Sequence, residues 1–132
     1  MSEQLFELDK NSSICPLRLV MDIVGGKWKL SILCLLKSGK PMRYNQIKRG
    51  IDGITNAMLA QCLKSFEEYG IVYREQYNEV PVRVEYRLAP PGLDLLEALR
   101  VLDNWGNQYI VKHTCFDSRC HTCVYSDKNL LR

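Results

Sequence analysis

Apolar residues recur at helical spacing over the first half of the chain. The first such segment begins at Pro16, a residue suited to the first position of a helix, and ends at Gly25. Its apolar positions are Leu17, Val20, Met21 and Val24. The same spacing predicts further helices over residues 27–37, 43–49 and 56–69, with Thr55 as the N-cap of the last one. Four helices separated by short turns are therefore expected before residue 70.

Beyond Gly70 the period of the apolar positions changes from helical to two. Apolar residues alternate with charged ones from Val82 to Leu88, and a second strand is predicted over residues 71–77. Asn78 to Pro81 supply the turn between them, so the pair is expected to be a hairpin. The fold class predicted is α+β, mainly helical.

A last long helix is predicted from Pro90 and Pro91 onward. Its apolar positions repeat on one side over several turns, at Leu95, Leu99, Leu102, Trp105, Tyr109 and Ile110. This stripe is longer than a small helical core can cover, so part of it is expected to contact a second copy of the chain. Trp105 is interpreted as a packing residue of this kind, and Trp28 as a packing residue of the second helix.

Helices followed directly by a hairpin are the element order of a winged helix-turn-helix protein. In that architecture the fourth helix lies in the DNA major groove, with its N-terminal turn nearest the base edges. Asn56 and Gln61 carry amides that can pair with adenine, Ala57 is small enough to approach a thymine methyl, and Thr55 can reach a phosphate. Arg43, Lys48 and Lys64 are predicted phosphate contacts, and Arg83 on the hairpin is predicted to enter the minor groove.

The charge distribution supports a polyanion partner. The chain has 18 basic and 15 acidic residues, but residues 27–64 hold eight basic residues against Asp52 alone. This segment has a net charge of +7, and the rest of the chain is net acidic. Double-stranded DNA is the expected partner; a solvated lysine-rich helical surface is the alternative interpretation of the charge by itself.

Several motifs, in order and without gaps from about Cys15 to Tyr109, resemble one family. They are CPLRLVMDIVGGKWKLSILCLL, GITNAMLAQCLKSFEEYGIV, PVRVEYRLAPPG and a closing Trp105–Gly106 pair, and they are similar to the HxlR-type winged helix-turn-helix regulators of the MarR-like superfamily. The resemblance implies a dimeric bacterial or archaeal transcription factor, not an enzyme, whose first and last helices form the dimer contact. The chain departs from the family at Ala57, where a basic residue is usual, and at Cys62, where a long polar residue is frequent.

Cys15 has the best physical argument for a reactive thiol among the six cysteines. It precedes Pro16 at the start of the first helix, where unpaired amides and the positive end of the helix dipole stabilise a thiolate. The resemblance implies redox sensing here, since family members that respond to oxidants or electrophilic carbonyl compounds use a cysteine at this position. The alternative is a small apolar residue with no sensing role. Cys34 and Cys62 fall on apolar helical faces and are expected to behave as small hydrophobes.

A cysteine- and histidine-rich tail follows the family match. His113, Cys115, Cys120 and Cys123 could complete a tetrahedral zinc site, and Cys120 and Cys123 have the spacing of a zinc knuckle. A redox-active dithiol and a tail with no special role are the alternatives, because only one Cys-x-x-Cys pair is present. No cofactor is required by the rest of the sequence.

The domain organisation expected is an arm at 1–13, the HxlR-type domain at 14–112 and the tail at 113–132. A hydrophobic content of 46% fits a folded domain, and neither a secretory signal nor an apolar run of membrane-spanning length is visible, so a cytoplasmic protein is expected. The expected function is repression from a pseudo-palindromic operator. A metal-responsive regulator using the tail is the alternative, a thiol enzyme is a remoter one, and a winged helix used only for protein contacts is another.

Overall fold

Short turns connect five helices and three strands in the computed structural model, which describes residues 15–113. The elements are α1 (Pro16–Val24), α2 (Lys29–Leu35) extended by a 3-10 turn (Leu36–Ser38), β1 (Met42–Arg43), α3 (Tyr44–Arg49), α4 (Asn56–Glu68), β2 (Val72–Tyr77), β3 (Arg83–Leu88) and α5 (Pro90–His113). The five predicted helices are confirmed, as is the hairpin. The predicted second helix begins two residues too early, because Lys27 and Trp28 belong to the turn.

Local sequence signals set both ends of α4. At the start of α4, the Thr55 hydroxyl oxygen accepts a hydrogen bond from the Met58 backbone N–H at 3.1 Å. At its end, Gly70 adopts a φ of +72°, a left-handed conformation that a side chain would disfavour. The predicted N-cap and the predicted stop are therefore both confirmed.

The three strands form one antiparallel sheet in the order β1-β3-β2. Strand β2 pairs with β3 along the whole hairpin, from Val72 opposite Leu88 to Tyr77 opposite Arg83. Strand β1 pairs with the outer edge of β3, with Met42 opposite Tyr86 and Arg43 opposite Glu85. Strand β1 was not predicted from the sequence, since a strand of two residues has no periodicity to detect. Its pairing ties the helix-turn-helix segment to the hairpin.

The core lies where α2, α3, α4 and the sheet meet. Eight of its side chains are completely or almost completely buried: Ile32, Leu33, Leu36, Ile47, Leu59, Leu63, Phe66 and Val72. Cys62 is also buried, and Trp28 packs against the same cluster. The buried inner face of α4 is formed by Leu59, Cys62, Leu63 and Phe66, and the expected placement of Cys62 on an apolar helical face is confirmed. Its opposite face is left for solvent or a partner.

The described residues form a winged helix, with the β2–β3 hairpin as the wing, and the predicted α+β fold class is confirmed. Helix α5 packs against the core as far as Leu99 and carries exposed apolar residues along its second half, among them Leu102, Trp105 and Tyr109. In residues 15–113 there is no helix that combines the length and the apolar character needed to cross a membrane.

Candidate nucleic-acid interface

The outward face of α4 carries the predicted base-reading residues. Asn56, Ala57, Gln61 and Lys64 are all exposed, and the Thr55 cap precedes them at the surface. Residues 57, 61 and 64 follow one another at three- and four-residue intervals, so their side chains line one side of the helix. The core residues between them fix the rotation of the helix, so this side faces solvent. α4 therefore presents a polar ridge with its N-terminal turn at the tip.

A hydrogen bond that sequence reasoning missed secures that tip. The Tyr44 hydroxyl at the start of α3 donates to the Asn56 backbone carbonyl at 3.0 Å and lies 3.4 Å from the Asn56 side-chain oxygen. Burial, together with neighbouring Tyr86, raises the pKa of Tyr44 above its ordinary value, so the phenol stays protonated and able to donate. The Tyr44 ring packs against the core that contains Ile47, but a helical apolar pattern gives no sign of what the Tyr44 hydroxyl contacts.

Helix α3 presents its predicted phosphate contacts at two places. Arg43 is exposed immediately before the helix, where its backbone N–H donates to the Gln46 side-chain oxygen at 2.8 Å. Lys48 is half-buried in the last turn, and Arg49 beside it is exposed. Arg49 was not among the predicted site residues, although it belongs to the same basic segment.

Arg83 has partners that its position in the sequence did not reveal. Its guanidinium lies 3.1 Å from a Glu79 carboxylate oxygen and 3.7 Å from a Glu85 oxygen, and its carbon stands 4.1 Å from the centre of the Tyr77 ring. Only 26% of the side chain is exposed. In this conformation the wing itself therefore engages the guanidinium, and its entry into a minor groove stays a prediction.

The cysteines of the described region differ in their accessibility. Cys15 is exposed at the N-cap of α1, where its backbone carbonyl accepts the Leu19 N–H at 3.1 Å. Cys62 is buried, and this burial raises the pKa of its thiol although nearby Lys29 acts in the opposite direction. Cys34 is half-buried, so Cys15 is the most accessible of the three described thiols and the one best placed to meet a solute.

The predicted tail site cannot be placed on this structure. His113 is the last residue of α5, whereas Cys115, Cys120 and Cys123 lie outside the described residues. Within residues 15–113, histidine, cysteine, aspartate and glutamate side chains do not gather in threes as a metal site would require.

Comparison with known proteins agrees with this geometry. The family model of the HxlR-like helix-turn-helix matches residues 23–114. An uncharacterised HTH-type transcriptional regulator of Methanothermobacter thermautotrophicus is 39% identical over 103 residues, which is 78% of each chain.

Two solved structures extend the similarity to three dimensions. A MarR-family transcriptional regulator from Enterococcus faecalis V583 matches with a TM-score of 0.68 and 37% identity, covering 78% of this chain and 96% of that one. The redox regulator HypR in its oxidised form matches with a TM-score of 0.62 and 37% identity, covering 71% and 96%. With its wing, its exposed α4 ridge and these relatives, the chain belongs to the HxlR-like helix-turn-helix family and is a DNA-binding transcriptional regulator.

Proposed function

We propose that the chain is a homodimeric repressor that binds a pseudo-palindromic operator through α4 of each protomer and leaves it when Cys15 is modified. The observation that carries this proposal is the outward face of α4. Asn56, Ala57 and Gln61 are exposed on a helix whose other side is fixed in the core. Amides of this kind can make paired hydrogen bonds to adenine in the major groove.

A matched pair of variants tests whether the outward face of α4, called here the reading face, contacts bases. Gln61→Ala is expected to reduce the discrimination between operator and random DNA by about 1–3 kcal/mol, because a base contact is lost. Lys64→Ala, three residues along the same face, is expected to weaken binding to both DNAs about equally, because a phosphate contact carries no sequence information. Titrations of both DNAs by fluorescence anisotropy measure the two effects. Unchanged discrimination in Gln61→Ala would contradict the assignment.

The dimer part of the proposal is supported by apolar surface on the two terminal helices of the domain. Leu17 and Met21 on α1 are 64% and 47% exposed, and Trp105 on α5 is 64% exposed. An open apolar cavity of about 440 Å³ lies between these helices, with Met21, Leu30 and Leu102 in its wall. Contiguous apolar surface of this sort is typical of an interface. Binding of a pseudo-palindromic operator requires the two α4 helices of a two-fold dimer to lie about 34 Å apart, one turn of DNA.

The release step follows from the position of Cys15 at the N-cap of α1. Its thiolate would add to the β-carbon of an α,β-unsaturated carbonyl compound: a sulfur–carbon bond forms, the double-bond electron pair moves toward the carbonyl, and the α-carbon takes a proton from water. The added bulk lies at the start of a helix assigned to the dimer contact. A shift of a few ångströms there would alter the separation of the two α4 helices, which must enter successive major grooves together. The similarity to the redox regulator HypR supports this part of the proposal.

The experiment is a mobility shift on the DNA upstream of the protein's own gene, with and without oxidant or electrophile. Wild-type protein is expected to bind and then to be released by the treatment, whereas Cys15→Ser is expected to bind normally and stay bound. Peptide mapping after brief alkylation at neutral pH should find Cys15 labelled before Cys62, since burial raises the pKa of the Cys62 thiol and lowers its thiolate fraction. Release of Cys15→Ser as readily as wild type would place the switch elsewhere.

A further inference from the structure

A basic groove runs between α3 and the wing, beside the α4 ridge. It encloses about 700 Å³, and its walls carry three arginines, Arg43, Arg49 and Arg83, against one carboxylate, that of Glu79. Asn45 and Gln46 add side-chain amides to the α3 wall. A concave surface with such an excess of guanidinium groups is suited to an anion that offers several oxygen acceptors.

The sheet holds the two walls of the groove in register. Strand β1 places Arg43 directly opposite Glu85 of β3, and α3 begins at the next residue. The wing wall consists of residues 79–84, which include the turn and the start of β3. Because β1 pairs with β3, Arg43 and Arg49 on one wall and Arg83 on the other line the same groove.

The Glu79 carboxylate is itself an anionic group that lies in this groove. Its carboxylate oxygen lies 3.1 Å from Arg83 Nη2, and its side chain is 54% exposed. Arg83 is supported from behind by the Tyr77 ring at 4.1 Å and by Glu85, 3.7 Å from Nη1. The guanidinium is thus fixed on the wing, while the group it faces is exposed and free to be exchanged. An ion pair with an exposed carboxylate adds little to stability, so replacing Glu79 by another anion costs little free energy.

We propose that the groove binds a backbone phosphate of the DNA that α4 contacts, and that the Glu79 carboxylate occupies this phosphate-binding site in the free protein. Carboxylate and phosphate oxygens match the same fork of guanidinium N–H groups, so the phosphate replaces Glu79 on Arg83 and gains Arg43 and Arg49. Glu79 then acts as an internal competitor that lowers affinity for every DNA sequence alike. In this arrangement Arg83 contacts the DNA backbone and does not enter the minor groove, so the proposal replaces the minor-groove contact predicted from the sequence. The inference rests on the proposed reading face of α4, whose tip lies next to Tyr44 at the groove wall.

The phosphate-binding site is tested by measuring how the affinity of the full chain for operator and random duplexes depends on salt. Glu79→Gln is expected to raise the affinity for both duplexes by about threefold to tenfold at low salt, because the competitor charge is gone. Arg49→Gln is expected to weaken both equally and to reduce the slope of log affinity against log salt by about one, since one phosphate contact is lost. Glu75→Gln is the matched control: it removes the same charge from the wing, at a residue that does not line the groove. Its gain in affinity should be the smaller one.

The outcomes separate this inference from the proposed function. Equal gains in DNA affinity in Glu79→Gln and Glu75→Gln, or an unchanged salt slope in Arg49→Gln, would overturn the phosphate-binding site. Either result would leave base reading through Gln61 on α4 intact. Effects confined to the operator would also overturn the phosphate-binding site, because the groove would then read bases. An acidic peptide is titrated as a second ligand. If Arg49→Gln loses binding to that peptide while its DNA binding is unchanged, the groove belongs to a protein partner and the proposal is overturned. A wild-type chain that binds no duplex would overturn both proposals.

Discussion

Tyr44 links the first helix of the helix-turn-helix to the reading helix through a single hydroxyl. It donates to the Asn56 carbonyl at 3.0 Å, and it holds the Asn56 side-chain oxygen near at 3.4 Å. That leaves the amide nitrogen of Asn56 available to a base. One side chain thereby fixes both the position of the α4 tip and the orientation of a residue assigned to base reading.

Tyr44→Phe removes that hydroxyl and keeps the ring. We expect the free energy of operator binding to weaken by about 0.5–1.5 kcal/mol, the usual net value of such a hydrogen bond, with less change for random DNA. The effect should persist to alkaline pH, since the raised pKa of Tyr44 keeps its phenol protonated beyond the ordinary range. Tyr73→Phe is the control, because Tyr73 is exposed on β2 and its ring contact with Arg87 survives the change. Equal losses in both variants would contradict the positioning role.

Single residues mark the boundary of what the sequence predicts. The burial of Cys62 and the exposure of Gln61 follow from helical geometry, because 100° per residue assigns each to a face. The partners of Arg83 follow only in part. Glu85 lies two residues along the same strand, whereas Glu79 reaches Arg83 across the turn and Tyr77 reaches it through the pairing of β2 with β3. Contacts of this kind depend on register and rotamer. An alternating pattern shows neither.

At the scale of elements, the start of α4 depends on Thr55. Its hydroxyl oxygen accepts the Met58 N–H, while its own hydrogen is left to donate to a phosphate. Thr55→Ala is expected to lower the free energy of unfolding by about 1 kcal/mol, as the loss of an N-cap does, and Thr55→Ser should retain most of it. Urea unfolding followed by circular dichroism gives both values. A midpoint in Thr55→Ala equal to that of wild type would show that the cap contributes nothing.

The helices were predictable because each one satisfies several local rules together. The α4 segment has a capping residue, a four-residue apolar face and a terminal glycine, all visible in the sequence. Strand β1 satisfies none of them and exists because β3 offers it a free edge. It is also the element that joins α3 to the wing, so the groove between them could not be derived from the linear pattern.

For the whole molecule, polar and apolar surfaces are assigned to different parts of the fold. The basic segment and the wing surround α4, whereas the exposed apolar residues of α1 and α5 are carried by the terminal helices of the domain. DNA contact and self-association can therefore be altered separately. Variants on α5 are expected to change affinity for a two-site operator without altering contacts within one half-site.

Trp105 is the residue with which to test that separation. It is 64% exposed, and its ring stacks on Tyr109 at 5.3 Å between centroids, so replacing it disturbs little within one chain. Trp105→Glu places a charge in the proposed dimer contact, where burying it unpaired is strongly unfavourable. We expect light scattering to report half the wild-type mass, circular dichroism to be unchanged, and operator affinity to fall to that of an isolated half-site. Asn104→Glu, which adds the same charge at the neighbouring exposed position, should leave the mass unaltered. A Trp105→Glu protein that keeps the wild-type mass would move the dimer contact away from α5.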